Sequence, residues 1–292
     1  DVVVLGDSFS LSRPKLQWQN YIVAATGWSL LTLDVKKTTF EQILQNPIFR
    51  EKPPQVFIYE TVERELPNRL ASSQCPSEPN SLPKKTGPIP LIANALHLQQ
   101  LKGQTQYVAR STAWADIKLG YVMDYLQNNI LRAVRGEIRT EGVKVELLSD
   151  APFSSTEKHT LLVFKNDLRK IAWWKTANFS NITCRVKQMK NQVEASGRTR
   201  FILMVAPDKL TVYANFLADP KLRSASQLSG FAKAHAVDMP RLDLALVSAA
   251  QAGEEDVYLP NDTHWGARGQ QIVADTLLKF LWPAPRQTKL QQ

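Results

Sequence analysis

The sequence predicts an α/β fold: a doubly wound parallel sheet flanked by helices, with a large insertion after the third strand. Three observations carry this. Short apolar runs at residues 2–5, 28–33 and 56–59 alternate with amphipathic stretches, a β-α-β-α-β order that favours parallel pairing and crossover connections. The alternation returns at residues 178–195, an amphipathic helix, followed by the apolar run 201–205. Each run then ends in polar residues: Gly6-Asp7-Ser8, Asp34, Glu60 to Glu65, and Pro207-Asp208-Lys209. Polar residues at strand ends place chemistry at the carboxyl edge, where open parallel sheets bind ligands.

Taken in order, residues 2–5 form the first buried strand. Pro14 opens a helix, with Leu16, Trp18, Tyr21, Ile22 and Ala25 as its apolar face and Gly27 as its stop. After the strand 28–33, the run Thr38-Thr39-Phe40-Glu41-Gln42 has the pattern of a capping box at a helix start. Pro53-Pro54 closes that region ahead of the strand 56–59. Residues 66–104 carry six prolines and read as inserted loop, the kind of segment that serves as a lid or binding surface. Residues 113–134 predict an amphipathic helix with Trp114, Ile117, Tyr121, Met123, Leu126 and Ile130 near one side. Strands at 143–148 and 160–164 predict a hairpin. These pieces make an insertion at about 66–165 within a single domain spanning 1–292. Tyr213 falls on a short helix, 224–236 is amphipathic, and Asp243 is the expected cap of a helix through Ala250. A short strand at 257–259 leads into Asn261-Asp262-Thr263-His264, and the last helix covers 267–281, its Ile272, Val273, Leu277, Leu278 and Leu281 facing inward.

Composition bounds the function. The 292 residues are 43% hydrophobic, ordinary for a globular protein, and no apolar run approaches a bilayer span. The formal charge of +9 is spread along the chain, with clusters at Lys36-Lys37, Lys84-Lys85 and 185–200. Such a surface attracts anions generally. Zinc-ligand spacing, an RNA-binding aromatic signature and a helix-turn-helix cue are all missing, so no nucleic-acid partner is expected. Cys75 and Cys184 form no CxxC; they are either one disulfide of an oxidising compartment or two separate thiols.

The chemistry lies at the two ends of the chain. Ser8 sits in a glycine turn directly after a buried strand. A serine hydroxyl is a weak nucleophile and needs a base, which in turn needs an orienting partner. Asp262 and His264, one of four histidines, supply both from one turn. The Asp would accept from Nδ1–H and leave Nε2 facing Ser8.

Gly6-Asp7-Ser8-Phe9-Ser10, Ala206-Pro207-Asp208-Lys209 with Tyr213, and Asp262-Thr263-His264-Trp265-Gly266 together resemble the SGNH or GDSL hydrolase-like group, and within it the alginate O-acetyltransferase family. The resemblance implies Ser8 as nucleophile, His264 as general base and Asp262 as its orienter. It implies an acetyl donor relayed by a membrane-bound acyltransferase, a polysaccharide acceptor, no cofactor and no metal. It also implies a bacterial periplasmic location, with an N-terminal segment anchoring the protein to the inner membrane. The sequon Asn261-Asp262-Thr263 would put a glycan on the proposed catalytic turn, against a eukaryotic secreted protein. Two departures stand out. The alginate proteins place Asp-x-His before the serine, whereas here the serine comes first. The group's oxyanion glycine and asparagine are replaced by Asp34-Val35-Lys36-Lys37 and Glu63-Arg64. The Ser8 N–H is then one expected oxyanion donor. Arg64 is a candidate second donor, its alternative being an ion pair with Glu60 or Glu65. Trp265 is a candidate sugar platform or a packing residue beneath the turn, and Tyr213 a candidate substrate contact. An acetyl esterase and a non-catalytic polysaccharide-binding protein are the other readings of the same residues.

Overall fold

A computed structural model describes residues 1–11, 17–71, the backbone of 94–96, seven helical positions between 123 and 134, and residues 141–223, 228–235 and 237–282. β1 (Val2–Gly6) runs into a single helical turn, α1 (Ser8–Leu11), followed by α2 (Trp18–Thr26) and β2 (Leu30–Asp34). Next come α3 (Phe40–Gln45), α4 (Pro47–Glu51), β3 (Val56–Val62), α5 (Leu66–Ala71) and β4 (Asn94–Leu96). β5 (Gly142–Glu146) and β6 (Thr160–Phe164) lead to α6 (Lys165–Thr176), α7 (Phe179–Glu194) and β7 (Arg200–Ala206). The chain continues through α8 (Lys209–Val212), α9 (Pro220–Arg223), α10 (Leu228–Ala234), α11 (Leu242–Gln251) and α12 (Ala267–Leu281).

The main sheet has the order β4-β2-β1-β3-β7. β2, β1, β3 and β7 are parallel and β4 is antiparallel to β2. Side chains alternate across this sheet as the pleat requires. Val4, Ile58 and Ile202 pack with Trp18, Ile22 and Val23 of α2 and with Leu246, Val273 and Leu277 of α11 and α12. Leu5, Phe57 and Leu203 face the other way, against Phe40 and Ile43 of α3 and Ile182 and Met189 of α7. Every residue of β3 is buried, as expected of a strand covered on both faces. Because α2 and α3 cover opposite faces, the strand order reverses beside β1. The crevice at that switch point opens at the carboxyl ends of β1 and β3, and Ser8 stands there.

Local signals explain most boundaries. The Thr39 hydroxyl accepts from Gln42 N–H at 3.2 Å, and the Gln42 side chain accepts from Thr39 N–H at 2.9 Å, closing the expected capping box. Gly27 ends α2 at φ 72°, a left-handed cap that favours glycine. β5 and β6 pair as an antiparallel two-stranded sheet of their own.

Several expectations change. α2 starts at Trp18 with Gln17 as cap, and the expected opener Pro14 lies outside the described residues. Residues 66–71 are helix rather than loop: Leu66, Pro67 and Leu70 are buried, and Pro67 fits a first turn where its missing N–H costs nothing. Of the expected helix 113–134, only the seven positions between 123 and 134 are described; Met123, Leu126 and Ile130 among them are exposed. Most of the expected insertion lies outside the described residues, as does Cys75. Residues 257–259 form no strand, only an isolated antiparallel bridge between Tyr258 and Trp265. Asp243 does not cap α11. Arg241 takes that position, and Asp243 ion-pairs with it from the first turn.

Candidate functional site

The Ser8 turn is pinned by carboxylates rather than by loop flexibility. Asp7 Oδ1 accepts from Phe9 N–H at 3.1 Å, and Oδ2 accepts from Val62 N–H at 2.9 Å while meeting Arg69 Nη1 at 3.0 Å. Behind the turn, Glu60 Oε2 accepts from Asp7 N–H at 2.8 Å and from the Ser10 hydroxyl at 2.9 Å. Glu60 is fully buried, and burial pushes its carboxyl well above the usual range. Asp7 and Glu60 thus lock β1, α1 and β3 into one corner, and Ser8 is left exposed at its tip.

The other wall is the 259–266 turn. The Asp262 carboxylate can only accept, so His264 Nδ1–H donates to Asp262 Oδ1, at 2.7 Å. That leaves Nε2 as acceptor, and the Ser8 hydroxyl donates to it at 2.9 Å. The hydrogen bond from His264 holds Asp262 down at about 2, so it is a carboxylate throughout the neutral range. Phe9 supports the imidazole from below, ring centroids 4.8 Å apart. Gly266 is required for space: a Cβ there would lie 2.0 Å from the Asp256 carbonyl oxygen. Lys209 Nζ donates to the carbonyls of Leu259, Pro260 and Asp262 at 2.7, 3.0 and 3.1 Å, tying this turn to the end of β7.

Ser8 and the Asp262–His264 pair, 254 or more residues from it along the chain, therefore form one hydrogen-bonded line. The remaining candidates do not join it. Arg64 Nη1 bonds Asp208 at 2.7 Å and Asp167 at 3.1 Å, and its guanidinium lies 4.9 Å from the Phe164 ring centre. These partners, rather than Glu60 or Glu65, fix it, and among the described residues it makes no hydrogen bond to Ser8 or His264. Tyr213 is completely buried, its hydroxyl accepting from Tyr258 N–H at 3.4 Å, so it supports the 258–265 turn from beneath and contacts no solvent-borne ligand. Trp265 is also buried. It packs edge-on against Phe9, and its Nε1–H donates to the Tyr258 hydroxyl at 2.9 Å, the arrangement of a packing residue beneath the turn. The Ser8 N–H has no acceptor among the described residues, as an oxyanion donor requires.

Sequence reasoning missed the charged layer beneath the site. Lys170, fully buried, meets Glu63 and Asp208 at 3.1 Å each and donates to the Thr211 hydroxyl at 2.6 Å. With Arg64 and Asp167 this makes two cations and three carboxyls. Burial, then the Asp208 charge, push Asp167 up to about 8, so one carboxyl holds a proton and the group is close to neutral. The visible signal was a strand ending in Glu60 and Glu63 and another ending in Asp208. Their cationic partner Lys170 comes from α6, which no motif announces. Trp174 of α6, also buried, donates to the Glu63 carbonyl at 3.2 Å. Among the described residues no group of three or more His, Cys, Asp or Glu is placed to hold a metal ion.

A cleft of about 600 Å³ opens against the outer side of the turn, lined by Phe153, Ser154, Glu157, Asp256, Pro260 and Asn261 among others. A more apolar cavity of about 540 Å³ lies at the opposite edge of the sheet, around Val3, Leu31, Ile43 and Phe49. It is remote from the Ser8 line, and the site is assigned by the hydrogen-bonded residues, not by cavity size.

Residues 164–292 match the family described as SGNH hydrolase-like domain, acetyltransferase AlgX. The matched segment holds Lys209, Tyr213, Asp262, His264 and Trp265, whereas Ser8 lies outside it. No curated protein and no solved structure matches the chain.

Proposed function

We propose, from the match of residues 164–292 to the SGNH hydrolase-like acetyltransferase family, that the chain transfers acetyl groups through Ser8 to hydroxyls of an exopolysaccharide. The observation that carries the reading is the line from Ser8 through His264 to Asp262 at 2.9 and 2.7 Å. In the first half-reaction Ser8 Oγ attacks the carbonyl carbon of an acetyl donor while its proton passes to His264 Nε2. The tetrahedral intermediate collapses, the donor leaves with the proton from His264, and acetyl-Ser8 remains. In the second half, an acceptor hydroxyl gives its proton to Nε2 and attacks the ester carbonyl; as the intermediate collapses, Nε2 returns that proton to Ser8 Oγ, which leaves as the free hydroxyl. Asp262, ionised at neutral pH, balances the imidazolium in both halves. The Ser8 N–H, without an acceptor among the described residues, is the first oxyanion donor; losing such a donor costs about 10²–10³ in rate.

The cleft beside the turn, with Ser154, Glu157, Asp256 and Asn261 among its lining residues, is where the acceptor would bind. The periplasm as location, a membrane-bound acyltransferase as the source of acetyl groups and a polysaccharide as acceptor are parts of the same proposal. A second reading is an acetyl esterase, favoured by the exposure of Ser8 to water. The test is acetyl release from a chromogenic acetyl ester, with the intact mass of the protein read during turnover. A mass gain of one acetyl group in the wild type, absent in Ser8→Ala, is expected. Added oligosaccharides then divide transfer from hydrolysis. Turnover that survives in Ser8→Ala would remove the proposal.

A further inference from the structure

We infer that Lys209 is the positioning residue of the catalytic turn: its ammonium, held by three carbonyls of residues 259–262, sets His264 on Ser8 and must stay charged for transfer to run. The inference rests on the reading of Ser8, His264 and Asp262 given above.

The geometry has three parts. First, the turn has little regular structure of its own. The Leu259 N–H to His264 carbonyl bond at 3.0 Å, the Asp262 N–H to Leu259 carbonyl bond at 3.3 Å and the Gly266 N–H to Val257 carbonyl bond at 3.0 Å are its backbone links. Neither helix nor strand fixes Asp262 or His264. Second, the carbonyls of Leu259, Pro260 and Asp262 converge on one point, where their negative ends would repel one another. Lys209 Nζ fills that point, at 2.7 to 3.1 Å from each. An ammonium has three N–H donors and all three are used. A neutral amine has two, and its lone pair would face a carbonyl oxygen. Third, Lys209 is rigidly mounted. It is completely buried, it starts α8 directly after β7, and its Nζ sits 4.9 Å from the Phe153 ring centre.

The charged form is sustained with little margin. Among the described residues no carboxylate ion-pairs with Nζ; the groups that favour its charge from a distance are Asp262, Asp167 and Asp256. Burial outweighs them and lowers Lys209 from 10.5 to about 8. Raising the pH through that value removes one hydrogen bond and the charge from the centre of the turn. The outcome is an alkaline limit on transfer that belongs to Lys209 and not to the residues that touch the acetyl group.

The test uses Lys209→Ala and Lys209→Gln in the full chain, with the rate of Ser8 acetylation followed by intact mass. A displaced catalytic group costs about 10²-fold in rate. A loss of that size is expected in Lys209→Ala, in kcat with KM for the donor little changed. Ethylammonium chloride, which returns an ammonium to the vacated space, is expected to restore at least about tenfold of it, and sodium chloride at the same strength is not. Lys209→Gln, one atom shorter, polar and uncharged, is expected to be slow and to lose the alkaline limit of the wild type. The downfield Nδ1–H proton of His264, read by NMR, reports the turn without any turnover. It should weaken in Lys209→Ala and return with ethylammonium. Wild-type rate in both variants, an alkaline limit unchanged in Lys209→Gln, or an imidazole signal indifferent to Lys209→Ala would overturn the inference. If the wild type forms no Ser8 adduct, the functional reading fails, and the imidazole signal alone decides the role of Lys209.

Discussion

Gly6 and Glu60 are in contact across β1 and β3: a Cβ on Gly6 would lie 2.6 Å from Glu60 Oε2 and 2.9 Å from Ser10 Cβ. Gly6 does not have positive φ, so the glycine of the serine turn is there for space and not for a left-handed backbone. The Glu60 carboxyl cannot move aside cheaply, because it is fully buried and carries the hydrogen bonds of Asp7 and Ser10. Gly6→Ala is expected to cost about 1–3 kcal/mol, the usual range for overpacking, and to slow Ser8 acetylation. In Gly6→Ala/Glu60→Ala the two losses are expected to add to less than their sum, since the second change removes the nearest of the clashing atoms and leaves only those of Ser10. Urea denaturation of the four proteins measures this.

Asp262→Asn tests the orienter. The amide can donate as well as accept, so it no longer dictates which imidazole nitrogen carries the proton. The equivalent change in a serine protease costs about 10⁴ in kcat, and a loss of about 10²–10⁴ is expected here. The same residue has a stability signature. Asp262 is lowered from 3.8 to about 2 by its bond from His264. A lowered carboxylate contributes stability above its unfolded value, and that contribution disappears as pH falls through the folded one. The melting temperature of the wild type should therefore fall relative to Asp262→Asn between about pH 4 and about pH 2.

The strand framework was readable because each strand is a short apolar run closed by polar residues, and burial on both faces leaves little choice of register. The proposed catalytic residues could be picked out because Ser8, Asp262 and His264 lie in turns next to such runs, and the fold brings them within hydrogen-bond distance. Residues that pack were left open between two roles for the opposite reason. Tyr213 and Trp265 carry polar tips, and from sequence a polar tip in a motif suggests a ligand. In the fold both tips are spent on Tyr258. Arg64 followed the strand that borders Ser8, which made it a reasonable oxyanion donor. Its partners Asp167 and Asp208 lie 103 and 144 residues away, a pairing that no local pattern encodes.

Trp265→Phe separates packing from sugar binding. The substitution keeps an aromatic ring against Phe9 and loses the hydrogen bond to Tyr258, worth about 0.5–1.5 kcal/mol; the Tyr258 hydroxyl keeps its bond to the Pro207 carbonyl. Stability is expected to drop accordingly in thermal denaturation. The KM for an oligosaccharide acceptor should stay within about twofold, because a buried ring does not touch it. A large rise in KM at unchanged stability would restore the sugar-platform role.

Asp167→Asn probes the charged layer below the site. Glu63, Asp167 and Asp208 face only Arg64 and Lys170, so a third negative charge there is uncompensated, and Asp167 is raised from 3.8 to about 8. The sign is opposite to that of Asp262. A raised carboxyl binds a proton in the folded state that the unfolded chain has already released, so its contribution to stability falls as pH rises between those two values. The asparagine has no proton to lose and keeps an oxygen for Arg64. The raised Glu60 and Glu63 remain in both proteins, so between about pH 5 and about pH 8 the melting temperature of Asp167→Asn should decline less than that of the wild type, and the difference between them grows with pH. Parallel curves for the two proteins would mean that Asp167 is ionised throughout and that the layer carries a net negative charge beneath the catalytic turn.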